Sequence, residues 1–537
     1  MSPNPTKPAS TTGTSSTMKQ NLDSAFLRRS VHNTVQHIEI MDTTLRDGEQ
    51  TSGVSFSAQE KLTIAQLLLT EVKVDRIEIA SARVSEGEFQ AVKAITDWAR
   101  ANGHIDRVEV LTFVDGDTSI NWMEKTGARV MNLLTKGSLN HLTHQLKKKP
   151  EEHFKDVEAV IQLADKKGID VNVYLEDWSN GMRHSKEYVF QYLDFLSTQH
   201  IKRVLLPDTL GVLIPSETYN YLSEIRKRYP KLHIDFHGHN DYDLSVANAL
   251  EAVKAGVNGL HLTINGMGER AGNTPLESTV AVLNDYVKEV KTSVNEKALY
   301  KVSKLVQAFS GFRVSPSKPI VGENVFTQTA GIHADGDKKK GLYYNDLMPE
   351  RFGRKRKYAL GKTSGKANIE NNLKQLGIQL NDNDLKKVTQ RIIELGDQKE
   401  TVTQDDLPYI ISDVLDSAAI SEKVHVENYV LTHSKNLRPS TTVRVKFDDG
   451  IIEEHAQGDG QYDAFMNALG KIYAKKKMEL AKLTDYVVRI PPGGKSDALC
   501  ETIITWEHNG REFTTTGLDS DQTVAAIKAT QKMLNII

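Results

Sequence analysis

Eight short apolar runs, each followed by an amphipathic stretch, lie between about residues 37 and 290 and predict a closed (β/α)8 TIM barrel of the α/β class. Two further observations frame that reading. No G-x-G-x-x-G follows the first run, which argues against a doubly wound open sheet. The rhythm also stops near residue 290, so other domains follow the barrel. The expected organisation is a tail over 1–34, the barrel over 35–295, helical linker subdomains over 296–415 and a duplicated α+β domain over 416–537.

The elements follow in order. His37–Asp42 reads as a strand. Ser57–Val72 reads as a helix, because Ser57 and Glu60 form a capping box and Leu62, Ala65, Leu68, Leu69 and Val72 share a face. The remaining strand and helix pairs are Arg76–Ala80 with Glu86–Ala101, Arg107–Phe113 with a short helix near Asn121, and Val130–Thr135 with Phe154–Lys167. Then come Val171–Glu176 with Lys186–Ser197, Arg203–Pro207 with Ser216–Arg228, His233–His237 with Asp243–Ala255, and Gly259–Ile264 with Pro275–Val287. Residues 291–415 are mostly helical in pattern. In the last part Val443, Val445 and Phe447 alternate as a strand before a helix near Asp463–Lys475. Tyr486–Ile490 and Thr502–Trp506 read as strands before Thr523–Leu534, so a strand-strand-helix order occurs twice. Each half opens polar turn residues onto a helix N-terminus, where ordinary capping and carboxylate binding are both physically sensible.

Composition excludes several classes. Lys and Arg number 68 against 70 Asp and Glu, a net charge of −2, which does not suit a basic nucleic-acid binder or an acidic solvating chain. Hydrophobic residues at 39% and a mean hydropathy of −0.43 describe a globular protein with no membrane-length apolar run. The single cysteine, Cys500, rules out an intrachain disulfide and a Cys-rich zinc site, and a reducing, cytoplasmic setting is expected. The Ser/Thr-rich start is read as a disordered tail, with an organellar transit segment as the alternative.

Barrel chemistry sits at the C-terminal ends of the strands. His237 and His239 are two apart, so on a strand both imidazoles face one way and can reach one ion. Asp47, after the first strand, completes a two-His, one-carboxylate set with strand seven, which the closed ring brings round towards strand one, and Asn273 adds a carbonyl directly or through water. Open positions on such an ion suit a 2-oxo acid, with the metal as a Lewis acid on the ketone. Mg, Mn, Zn and Co all suit mixed N/O donors. Arg46 is placed to hold a developing alkoxide or the acid's carboxylate, or else to make a rim ion pair. Glu176 shares its facing with Tyr174, as a base or as a supporting carboxylate; Leu111 and Leu134 join Tyr174 as pocket wall or as core. PPGGKS (491–496) lacks the first glycine of a phosphate loop, since residue 489 is arginine, and reads as a hairpin turn. Arg354–Lys357 is a basic cluster, read either as a solvated face or as a site for a phosphate-bearing cofactor such as coenzyme A.

DTTLRDGEQ (42–50), HGH (237–239) and NGMGERAGNTPLE (265–277) resemble the DRE-type metallolyase barrels, the isopropylmalate and homocitrate synthase family, which join acetyl-CoA to 2-oxo acids. GIHADG and LGKTSGKA fit that family's linker subdomains, and the last domain resembles its allosteric regulatory domain. NVYLEDWSNG, LPDTLGVL, FHGHNDYDLSVANAL and GDGQYDAFMNALGKI look most like its isoleucine-regulated (R)-citramalate synthases, which use pyruvate. The alternative is a 2-isopropylmalate synthase using 2-oxoisovalerate for leucine biosynthesis. A phenol at Tyr174 takes the volume that an isopropyl group needs, which is the reason for preferring pyruvate.

The resemblance implies a divalent metal on Asp47, His237, His239 and Asn273, and substrate-oxygen contacts from Arg46 and Thr209. It implies a side-chain pocket of Leu111, Leu134 and Tyr174, and Glu176 as the base that deprotonates acetyl-CoA. It also brings in His333 and Tyr343, linker residues that in relatives reach the active site of the partner subunit of a homodimer. Tyr462, Asp463, Leu483, Tyr486, Ile490 and Cys500 fall where such enzymes bind the feedback amino acid, with isoleucine the first choice and leucine the second.

Overall fold

The computed structural model describes residues 35–329, 342, 345–376, 378–397, 402, 404, 407–415, 424–489 and 500–537. The chain forms two units, Met1–Ser315 with Pro319–Val321, and Pro316–Lys318 with Gly322–Ile537. Among the described residues no helix is long and apolar enough to cross a membrane.

The first unit is the expected barrel. Its strands are β1 (Glu39–Asp42), β2 (Arg76–Ser81), β3 (Val108–Phe113), β4 (Val130–Lys136), β5 (Asp170–Glu176), β6 (Arg203–Asp208), β7 (Ile234–Gly238) and β8 (Gly259–Leu262). They pair in sequence order as parallel neighbours, and β8 closes on β1 through Glu39↔Gly259 to Asp42↔Leu262. The helices are α1 (Ala58–Leu67), α2 (Glu86–Ala101), α3 (Thr118–Thr126), α4 (Pro150–Lys166), α5 (Lys186–Leu196), α6 (Pro215–Arg228), α7 (Ser245–Lys254) and α8 (Leu276–Tyr286).

Local chemistry sets their ends. Ser57 and Glu60 form the capping box of α1, Glu60 accepting from the Ser57 N–H at 2.7 Å. A single π turn, Leu68–Val72, extends α1 until Lys73 takes a left-handed φ of 63°. α4 starts earlier than the apolar pattern indicated because Pro150 supplies the first-turn residue, which needs no N–H. β7 runs one residue further than expected, to Gly238, and β8 stops at Leu262, where a turn at Ile264–Gly266 begins.

Strand faces buried on both sides read as near-continuous apolar runs. The polar exceptions, Glu78, Glu109, Asn132, Asn172, Asp235 and His261, are all buried. At two-residue spacing they share the inward facing of Leu111, Tyr174 and His237, so the barrel interior carries polar layers as well as apolar ones. After α8 comes α9 (Leu299–Ser310).

The second unit contains two hydrophobic cores. One joins α10 (Lys366–Leu376), α11 (Asp382–Asp397) and α12 (Leu407–Leu415) through Ile369, Leu373, Val388, Ile392 and Leu407. The other is the duplicated domain: β9 (Val424–Thr432), β10 (Ser440–Phe447) and β11 (Gly450–Gln457) then α13 (Gln461–Lys476), followed by β12 (Lys482–Arg489), β13 (Cys500–His508) and β14 (Arg511–Asp519) then α14 (Gln522–Ile536). Each half is therefore three antiparallel strands and a helix, one strand more than the sequence pattern gave. The unforeseen strands are edges rich in polar side chains: β11 buries only Ala456, and β14 begins Arg-Glu-Phe-Thr-Thr-Thr. Their apolar alternation is too weak to read. The PPGGKS segment lies outside the described residues; its flanks, β12 and β13, are antiparallel neighbours. Arg354 of the basic cluster is taken up by the fold, donating to the Gly322 carbonyl at 2.7 Å and lying 5.1 Å over the Phe326 ring.

Candidate metal centre at the barrel mouth

Asp47, His237 and His239 are buried and meet at the C-terminal end of the barrel. His237 Nε2 lies 3.4 Å from His239 Nε2 and 3.4 Å from Asp47 Oδ2. Donors bound to one ion at about 2.1 Å sit roughly 3.0–3.4 Å apart, so the triangle has the size a divalent cation needs. His239 lies just beyond β7 and stays extended because it bridges to Asn273. Asn273 donates its amide to the Met267 carbonyl at 3.1 Å, and its Oδ1 is buried without a protein partner. Asp47 Oδ1 and the Nδ1 atoms of His237 and His239 are likewise buried and unpartnered. The unmet oxygens of Asp47 and Asn273 beside three converging ligand atoms fit a bound ion, with the ring protons of His237 and His239 on Nδ1.

The electrostatics agree. Burial raises the Asp47 carboxyl, but the Arg46 guanidinium beside it outweighs that and holds Asp47 well below the usual carboxylate range. Burial pushes His237 well below its ordinary value and lowers His239 too, which keeps both neutral and able to ligate.

Arg46 is held at three points. It donates through Nε to Glu78 Oε2 at 2.6 Å, through one terminal nitrogen to Asp47 Oδ2 at 2.8 Å, and through the other to the Tyr174 hydroxyl at 3.4 Å. Glu78 also accepts from Thr43 Oγ1 and Asn132 Nδ2, both at 2.8 Å. Behind the loop stands Lys61, fully buried, whose ammonium reaches Glu49 and Glu88 at 2.6 Å and the Leu45 carbonyl at 3.1 Å. Lys61 thereby fastens the backbone that carries Arg46 and Asp47.

Beside Arg46 lies the buried cluster Leu111, Tyr174 and Leu205, with Leu134 packed against it. Register explains it: Leu134 is opposite Tyr174, and Tyr174 is opposite Leu205. Two residues further toward the mouth, Lys136 is opposite Glu176 and their side chains pair. Thr209 accepts the Asp177 N–H at 2.9 Å, which leaves its own proton to donate. Arg270 braces the rim, donating to Asp241 at 2.8 Å and to the Thr209 carbonyl at 2.8 Å.

The structure thus brings together Arg46, Asp47, Tyr174, His237, His239 and Asn273, with Leu111 and Leu134 on the wall. Glu176 and Thr209 stand at strand ends on the same rim. His333 and Tyr343 lie outside the described residues. Glu78, Lys61, Lys136, Leu205, Arg270 and His261 were not foreseen. The available signal was a charged or polar residue at an inward position of an otherwise apolar strand, as with Glu78 in RIEIA and His261 in GLHL.

In the duplicated domain, Tyr462 and Tyr486 meet with ring centroids 5.5 Å apart, and the Tyr462 hydroxyl bonds Thr530 Oγ1 at 2.7 Å. Cys500 is buried, and burial raises its thiol. Asp463 is exposed and accepts the Asp459 N–H, Leu483 is exposed, and Ile490 lies outside the described residues. The two helix N-termini differ: Asp521 caps α14 through the Thr523 and Val524 N–H groups, whereas α13 begins at Gly460 with no side-chain cap.

Comparison with known proteins returns three consecutive families. Residues 37–306 match HMGL-like, 320–400 match the homocitrate synthase post-HMGL domain-like family, and 401–537 match the LeuA allosteric (dimerisation) domain. The chain is similar to the 2-isopropylmalate synthase of Methanocaldococcus jannaschii, 35% identical over 94% of this chain and 95% of that protein. It is also similar to the 2-isopropylmalate synthase of Heliobacterium modesticaldum, 32% identical over 94% and 97%. The (R)-citramalate synthase of Methanocaldococcus jannaschii is 31% identical over 93% of this chain and 99% of that protein.

Proposed function

The chain belongs to the HMGL-like family of barrels, in the form that carries a LeuA allosteric domain, and we propose that it is an acyltransferase, an (R)-citramalate synthase, condensing acetyl-CoA with pyruvate. The relatives carry both synthase names at similar identity, so the barrel chemistry is common ground and the acceptor rests on the pocket. The observation that carries the choice of pyruvate is Tyr174, whose ring stands among Leu111, Leu134 and Leu205 beside Arg46. A phenol there takes volume that an isopropyl group would need, while pyruvate brings only a methyl group, which supports pyruvate.

In this reading Asp47, His237 and His239, with Asn273 alongside, would hold a divalent cation, which when bound would supply a Lewis acid for the ketone oxygen. Glu176, fixed by Lys136, takes a proton from the acetyl methyl group. The carbanion so formed bonds to the ketone carbon of pyruvate, the C=O electron pair moves onto its oxygen, and that oxygen takes up a proton from solvent to become the product's hydroxyl. Arg46 faces that growing negative charge while Glu78 and Asp47 hold its fork in place. Thr209 donates to a substrate oxygen. Water then cleaves the thioester, releasing the CoA thiol and leaving the dicarboxylic acid.

The match to a dimerisation domain supports a homodimer, into whose active sites His333 and Tyr343 of the partner chain would reach. The paired tyrosines Tyr462 and Tyr486, beside the buried Cys500, support an amino-acid effector in that domain, isoleucine first and leucine second.

The testing experiment is a thiol-release assay with acetyl-CoA, a divalent metal, and pyruvate or 2-oxoisovalerate as separate acceptors. Release with pyruvate as the better acceptor is expected. Release mainly with 2-oxoisovalerate keeps the chemistry and makes the chain a 2-isopropylmalate synthase. Turnover that survives chelation sinks the metal reading.

A further inference from the structure

The hydroxyl of Tyr174 is not free. It lies 2.8 Å from His261 Nδ1, whose other nitrogen, Nε2, lies 3.1 Å from Asp235 Oδ2. Asp235 receives Arg76 at 2.5 Å on the same oxygen and His233 Nε2 at 3.0 Å on the other. Tyr174, His261 and Asp235 are all buried. The ends of this chain fix its direction. Arg46, 3.4 Å from the phenol oxygen, can only donate. Asp235 is ion-paired with the Arg76 guanidinium, whose nitrogens only donate, so the carboxylate accepts. His261 therefore carries its proton on Nε2 and presents the Nδ1 lone pair to the Tyr174 O–H. Tyr174 accepts from Arg46 and donates to His261, so both hydrogen-bonding roles of its hydroxyl are used.

The barrel makes room for this. Gly259 stands opposite Asp235, and a Cβ there would come within 2.4 Å of Asp235 Oδ1. The Tyr174 and His261 rings meet edge to face, 5.5 Å between centroids at 82°. An aromatic ring clamped at its tip cannot rotate away to admit a bulkier group, whereas an unclamped one pivots about χ1 and χ2.

We propose that His261 is a specificity-determining positioning residue: by binding the Tyr174 hydroxyl it locks the pocket wall that limits the size of the 2-oxo acid side chain. This rests on the reading of Tyr174 as the acceptor wall. His261 is not among the converging metal donors, and its effect is on selectivity rather than on the chemical step.

The test compares wild type, H261L, H261N and Y174F for kcat/KM with pyruvate and with 2-oxoisovalerate, and for the two dissociation constants by calorimetry, which need no turnover. Unfolding midpoints are recorded alongside. H261L is expected to lower the pyruvate to 2-oxoisovalerate ratio about tenfold, and Y174F, which removes the same bond from the other side, to lower it at least threefold. H261N, whose Oδ1 takes the place of Nδ1 as acceptor, is expected to keep at least three times more of the ratio than H261L. A merely structural role would depress both acids together. A ratio within threefold of wild type in H261L, or H261N falling as far as H261L, overturns the inference. Where H261L does not fold, Y174F decides: a ratio within threefold of wild type overturns it. A wild type that prefers 2-oxoisovalerate overturns the acceptor reading instead, and the variants' ratios still report whether the clamp sets the wall.

Discussion

The mouth and the floor of the barrel are built from the same residue types and differ in how those residues are met. On the floor, Arg76 faces Glu39, Glu109 and Asp235 at 3.0, 2.9 and 2.5 Å, and Arg203 faces Glu39 at 3.0 Å. Each charge there has a countercharge, which buried ions require. At the mouth, Asp47 Oδ1 and Asn273 Oδ1 are buried acceptors with no protein partner beside the converging Nε2 atoms of His237 and His239. Composition alone would not tell these clusters apart. Paired charge marks structure, and convergent unmet acceptors mark a place for a ligand.

The largest effects separate the two ends by kind. R76M strips the arginine countercharge from the buried Glu109 and Asp235 and leaves the half-buried Glu39 only Arg203; it is expected to cost about 3–5 kcal/mol of unfolding free energy, read from urea denaturation. D47N is expected to abolish Mn(II) binding, measured by the loss of the free-ion EPR signal, and to slow CoA release by several kcal/mol, about 1,000-fold. Its cost to the fold is expected to stay near the ~1.5–3 kcal/mol of one charge-assisted hydrogen bond. A D47N protein that still binds Mn(II), or an R76M protein as stable as its parent, breaks the distinction.

Next in size is the fork of Arg46. R46K keeps the charge but cannot serve Glu78, Asp47 and Tyr174 together. CoA release is expected to fall about 100-fold, with Mn(II) binding changed less than threefold. A fall in metal binding as large as the fall in rate would mean that Arg46 builds the ion site rather than facing the substrate.

Much of the barrel was legible because its strands are apolar on both faces and its helices carry caps such as Ser57–Glu60. The converging set Asp47, His237 and His239 was legible because the two histidines share a face and ring closure brings strand seven within one strand, β8, of strand one. What escaped were the partners. Glu78 serves Arg46 across 32 residues, and His261 serves Tyr174 across 87. Such pairings exist only once the sheet closes, and no local period encodes them. The edge strands β11 and β14 escaped for the opposite reason: little apolar alternation is needed where one side meets solvent.

Asp42 is a third case, which sharpens the comparison because its carboxylate has neither a countercharge nor a place among the converging donors. It accepts from the Thr44 N–H at 2.9 Å and the Thr44 hydroxyl at 3.1 Å. Burial is the main cause that raises it to about 7, the nearby Glu277 adds to the rise, and the Thr44 and Ile264 hydrogen bonds oppose it. An unfolded aspartate titrates near ~3.9. Between these values the unfolded chain has released the proton that the folded chain keeps, so the unfolded state binds fewer protons and stability falls as pH rises. The stabilisation is complete below about 4, drains away through about 7, and changes no further above that. D42N carries no such proton. The stability of D42N relative to wild type, followed by urea midpoints, is therefore expected to rise from pH 4 to 7 and level off beyond it. Midpoints that run parallel across that window would mean that Asp42 is ionised in the fold, matched by a positive group as the floor carboxylates are.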